Sequence, residues 1–235
     1  MPNDNASHTD PDFEPPFNKL PVVVVVLFLI MAGVEAVLSL GEAGLVGGPS
    51  AIGWRLALVR DWGFSGDLFD AMIAQNYWTA QHVARLITYP FIHLSFTHAL
   101  LAIVLMLALG KMAAEVMGQF AMLALFLLSG IGGALAYALL LDDPVWLVGA
   151  YPSVYGLIGG YSFLTWRRLG ATGGQQMQAF TLIGMLMGLQ LLWSLFGTVG
   201  NGWVAELSGF VCGFLLCFIC APGEWAKILG RLRQR

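Results

Sequence analysis

Residues Leu147 to Tyr161 read LVGAYPSVYGLIGGY, an apolar helix start with glycine at 149, 156, 159 and 160. Glycine at this density lets a second backbone come close inside a membrane. The segment has the form of a helix built around a small side chain, yet its most crowded point carries Tyr151 and Pro152. That mismatch bears on everything the chain can do.

The surroundings are as apolar as the segment itself: 58% of the chain is hydrophobic, 11% is charged, and the mean hydropathy is +0.75. Soluble domains sit nearer one half apolar and one quarter charged, so the chain reads as an integral membrane protein. Apolar runs fall at about 21–40, 91–110, 119–140, 149–166, 178–197 and 202–220. Each is near the roughly 20 residues that span a bilayer core as a helix. The expected architecture is an all-α six-span bundle over residues 21–220.

Residues 1–20 are acidic, Pro-rich and without a basic n-region, so they read as a short disordered tail rather than a signal peptide. Residues 221–235 form a basic tail ending in WAKILGRLRQR, suited to anchoring against anionic lipid. Placing both termini in the cytoplasm puts eight of the eleven Lys and Arg residues there, leaving Arg55, Arg60 and Arg85 outside. The positive-inside bias favours that orientation. Cys212, Cys217 and Cys220 all lie on the last span and read as small buried hydrophobes rather than ligands; no metal or other cofactor is expected. A net charge of −3 with no basic stripe gives no reason to expect nucleic acid.

One connector is long, about residues 41–90. Its stretch WRLALVRDWGFSGDLFDAMIAQNYW mixes aromatic and charged residues as interfacial amphipathic pieces do, and its length calls for structure of its own. The other loops are short, which forces neighbouring helices into antiparallel contact. Gly156 and Gly159 line the fourth span while Gly209 and Gly213 form a GxxxG in the sixth, so these two helices are expected to face each other.

Ionisable residues within spans are costly and therefore candidates for function: here Glu35, His93, His98 and Glu206, with Glu115 at a helix end. Glu35 fits a structural or interfacial role. His93 and His98 lie at the start of the second span, where a His pair can bind metal, donate to an oxyanion or satisfy loop carbonyls.

The set TYPF-x-H-xxxx-H, GA-xx-xVYGLIGGY and AELSGFVCGF, with Arg85 ahead of the second span, resembles the rhomboid family of intramembrane serine proteases over about residues 20–220. The resemblance implies acyl transfer by a serine on the fourth span, a histidine base on the sixth, and an oxyanion site that includes an asparagine and a histidine on the second. It also implies a multi-pass protein of the plasma membrane, the inner membrane in a bacterium. Carried over position by position, the serine is Tyr151, the glycine after it is Pro152, the base is Glu206 and the asparagine is Ala102, with only His98 matching. A tyrosine hydroxyl lies too far from the backbone to replace a serine, Pro152 removes an N–H beside the oxyanion site, and a carboxylate is a weak base for this task. No histidine follows His98 in the chain.

The expectation is a pseudoprotease whose partners, beyond the bilayer, are transmembrane segments of client proteins. A second reading is an active endopeptidase with an unconventional site using Ser153 or Ser95 with His93 or His98. Against it, Ser153 lies two helical steps, about 200° of rotation, from the expected nucleophile. A third reading makes Glu206, His98 and Glu35 a proton or solute relay, though no inverted repeat supports it. If Tyr151 and Glu206 hold the former dyad positions, a hydrogen bond between them is expected.

Overall fold

A computed structural model of the chain describes residues 19–194, 200–221 and 223. The two tails expected to be disordered and basic lie almost wholly outside them. The described residues form helices and loops with no strand: α1 (Val22–Glu42), α2 (Trp54–Trp62), α3 (Gly66–Gln75), α4 (Ala80–Thr88), α5 (Phe96–Met117), α6 (Gln119–Leu140), α7 (Tyr151–Thr172), α8 (Thr181–Ser194) and α9 (Gly202–Cys220). Short 3-10 turns precede α2, α5 and α8. Among these, α1, α5, α6 and α9 are long and apolar enough to cross a membrane.

Two of the six expected spans differ from those four for separate reasons. The helix α7 has 22 residues but carries glycines, tyrosines and the Arg167–Arg168 pair. Residues 152–160 are all buried, so the first half of this helix has protein on every side and needs no lipid-facing apolar surface. The helix α8 is described only as far as Ser194, and the rest of its expected span lies outside the described residues. The second span also starts later than the hydropathy indicates. Tyr89–Phe91 form a 3-10 turn, and the Ser95 hydroxyl then caps α5 by accepting from the His98 N–H at 3.2 Å.

The α7–α9 contact runs through glycines on both helices. A methyl group on Gly213 would run into the Gly156 carbonyl, one on Gly209 into the Pro152 carbonyl, and one on Gly159 into the Phe210 carbonyl. Backbone therefore lies against backbone, as the glycine spacing indicates. On the other side of α7, Gly156 lies against Ser129 of α6 and Gly130 against the Ser153 hydroxyl.

Around this centre the long connector folds as α2, α3 and α4, the structure of its own that its length calls for. Phe64 and Leu147 exchange backbone hydrogen bonds of 3.0 and 2.8 Å, tying the connector to the α6–α7 loop. Arg85 donates to the Arg60 and Gly63 carbonyls at 2.9 and 2.8 Å and lies over the Trp146 ring. Tyr89 donates to the Gly130 carbonyl at 2.7 Å, and its own carbonyl accepts from Gly149.

Arg55 of α2 reaches back to α1, donating to Glu35 at 2.9 and 3.0 Å, to Glu42 at 2.6 and 3.0 Å, and to the His93 carbonyl at 2.7 Å. Glu35 also accepts from Ser39 at 2.7 Å. The structural role read for Glu35 is thus a buried ion pair, and hydrogen bonds to the two carboxylates hold the guanidinium charged beyond its ordinary range. Such a pair contributes little net stability over an apolar substitute, but removing one partner strands a buried charge.

Two outcomes follow for thermal unfolding in detergent. Gly213→Ala overpacks the α7–α9 contact and costs about 1–3 kcal/mol, whereas Gly33→Ala, where an added Cβ meets nothing within 4 Å, leaves the midpoint unchanged or higher. Arg55→Met strands Glu35 and costs about 3–5 kcal/mol; the double variant with Glu35→Gln recovers most of it. Equal losses in the single and double variants would show that packing of Arg55, not charge, is what matters.

Candidate active site

The sixth span places Glu206 in the first turns of α9, and the glycine contact fixes it near the start of α7. Glu206, Tyr151, Pro152 and His98 all line one cavity of about 230 Å³. Four positions from three separate spans are therefore brought together.

The His98 ring is held on two sides. Tyr151 stacks on it with ring centroids 5.0 Å apart and planes 13° from parallel, and His93 meets it edge-on at 5.2 Å. Gly149, at a φ of +96°, lets the chain pass against the His98 ring where a side chain would collide with Nε2. The expected Tyr151–Glu206 hydrogen bond does not form. The tyrosine ring is engaged by His98, and the Glu206 carboxylate accepts instead from the side-chain amide of Gln190 on α8. The Tyr155 hydroxyl, one turn further along α7, lies beside the same carboxylate.

The remaining candidates stand apart from the cavity. Ala102 is fully buried in the core one turn beyond His98 on α5, and its methyl group offers no hydrogen-bond donor. Ser153 is fully buried against Gly130 of α6, its hydroxyl unpartnered. Ser95 serves as the α5 cap. Arg85 braces the connector, and burial lowers its pKa from the ordinary arginine value. Glu35 is committed to Arg55, which removes it from any relay with Glu206.

Residues not singled out from the sequence complete the site. Gln190 supplies the amide, Trp146 and Trp203 line the cavity, and Asn201 lines it while donating to Asp143 at 2.8 Å. The Asp143 carboxylate also accepts from the Val145 N–H, and these two bonds, the backbone one first, hold it below the usual carboxylate range. Gln190 was open to detection, because a lone amide inside an apolar run is costly in lipid unless partnered. Asn201 and the two tryptophans have no spacing signal.

The sequence model of the Rhomboid domain matches residues 80–223 of the chain, which spans α4 to α9 and so every cavity-lining residue. No curated protein matches it closely enough to be called a relative.

His93, in the connector ahead of α5, is fully buried with neither ring nitrogen partnered. Burial first, then the neighbouring His98 and Arg55, push its pKa down from 6.5 to about 4, with Glu35 opposing. The unfolded chain therefore takes up the proton first: this contribution to stability is complete above about pH 6.5 and is lost as the pH falls towards 4. The unfolding temperature is expected to drop between pH 7 and 4.5, and His93→Phe to flatten that drop. The same slope in both proteins would remove His93 as its source.

Proposed function

The chain belongs to the rhomboid family, and on that basis we propose that it is a proteolytically inactive member that binds transmembrane segments of other membrane proteins. The observation that carries this reading is the make-up of the cavity. Among the described residues that line it there is no serine, threonine, cysteine or lysine, and its one histidine is stacked under Tyr151. Acyl transfer needs an activated nucleophile with a base in hydrogen-bond reach, and this lining holds none of the usual nucleophiles to pair with a base.

A rearranged site has little support from the surroundings. Ser153 points its hydroxyl at α6 rather than into the cavity. Ser95 is spent on helix capping. What persists is the scaffold: the glycine-packed α7–α9 pair, the braced connector, and an aromatic cavity at the ends of α5, α7 and α9. In this proposal both termini lie in the cytoplasm, the membrane is the plasma membrane, a bacterial inner membrane if the source is bacterial, and the cavity opens towards the outer side. A client helix then meets the bundle without being cut.

Two measurements test it. The purified protein in liposomes is expected to leave a reporter transmembrane segment intact and to resist labelling by a serine-directed fluorophosphonate. A photoreactive residue in place of Trp203, which is 45% exposed at the cavity rim, is expected to crosslink membrane segments of other proteins. Cleavage that disappears in Ser153→Ala or His98→Ala would overturn the proposal.

A further inference from the structure

The cavity has a chemical bias that client binding does not explain. Its lining contains a carboxylate, Glu206, but no lysine or arginine. The groups facing that carboxylate, the Gln190 amide and the Tyr155 hydroxyl, are neutral. A carboxylate held at membrane depth is costly without a counter-charge, and the one lining residue able to carry positive charge, His98, has its ring stacked on Tyr151. A second acidic group, Asp143, stands one hydrogen bond away through Asn201.

Aromatic rings stand among the aliphatic residues of the wall. Tyr137, Trp146, Tyr151 and Trp203 come from α6, the α6–α7 loop, α7 and α9. The faces of such rings attract cations, by about 2 kcal/mol or more where water is excluded. Arg85, with its guanidinium carbon 5.2 Å from the centre of the Trp146 ring, shows that ring already engaged by a cation from outside the cavity. At about 230 Å³, the space is smaller than the roughly 300–1,000 Å³ of sites for drug-sized ligands. It has room for a small group and not for a helix.

We propose that this cavity binds a small organic ammonium group, held by the Glu206 carboxylate and the aromatic rings of the wall. The group is either that of a soluble amine or the ammonium end of a phospholipid headgroup. The proposal does not depend on client binding: it concerns the cavity's own acceptors and stands or falls separately.

The test is calorimetric titration of the intact protein with choline, beside its neutral isostere 3,3-dimethylbutan-1-ol. Choline is expected to bind saturably and the neutral alcohol at least about tenfold more weakly. Glu206→Gln, which keeps the shape and removes the charge, is expected to weaken choline by about tenfold or more. Trp203→Leu, at the half-exposed rim, is expected to weaken it several-fold, and serves as the test if Glu206→Gln fails to fold. Nanodiscs separate the sources. Weaker choline binding in phosphatidylcholine than in phosphatidylglycerol supports a headgroup occupant, and equal binding supports a soluble amine. Equal affinity for choline and the alcohol, no choline binding in detergent or phosphatidylglycerol nanodiscs, or choline affinity unchanged in folded Glu206→Gln or Trp203→Leu, would overturn the proposal. Photocrosslinking from Trp203 reads client capture independently of all these outcomes.

Discussion

Backbone lies against backbone where α7 meets α9, and the register of that contact sets the site. Gly209 meets Pro152 and Gly213 meets Gly156, so the same sequence offset holds one turn apart on both helices and the two run parallel. The offset leaves no freedom for what comes before. Glu206, three residues ahead of Gly209, is carried to the level of the loop end and first residue of α7. No side-chain preference is needed to bring Tyr151 and Glu206 to one cavity; the glycines do it by permitting a single close approach.

A helix so enclosed needs other elements to define its surroundings, and here the connector between α1 and α5 does so with buried polar contacts. Arg85 and the Phe64–Leu147 bridge hold it to the α6–α7 loop, and Arg55 ties it to α1 and to the His93 carbonyl. Each such group would be expensive to bury alone. Acting together, they fix where α5 begins and hence where His93 and His98 lie. The histidine pair is thus positioned by an ion pair on the far side of the connector, which connects α1 to the site without any α1 side chain lining the cavity.

How far the sequence alone reveals this differs by kind of signal. The spans are legible because a bilayer imposes a length: α6 and α9 fall at the apolar runs, and the facing of α7 and α9 follows from glycine spacing. The start of α5 is less legible, since Tyr89–Phe91 are as apolar as a span yet form a 3-10 turn ahead of the Ser95 cap. Arg55 carries no signal, because a basic residue in a long loop looks solvated until its partners on α1 are seen. The Tyr151–Glu206 pairing failed for a competitive reason. Spacing brings both to one cavity, but His98 takes the ring face and Gln190 the carboxylate, and neither competitor is visible from the pair itself.

The residues now at the site also differ in kind from a proton-transfer set. A nucleophile and base work because one group is an acid and the other can take its proton within one hydrogen bond. Stacking Tyr151 on His98 turns that imidazole into a packing surface, a contact of about 0.5–1.5 kcal/mol beyond the area it buries. On the opposite wall, Glu206 accepts from the Gln190 amide, whose protons are not acidic enough to transfer. The cavity thus brings a carboxyl group and aromatic rings together at a place that backbone contacts fix. The proposed loss of turnover is compatible with an intact scaffold for a physical reason: the α7–α9 contacts that set the geometry are made by backbone and glycine, not by the side chains of Tyr151, Glu206 or His98.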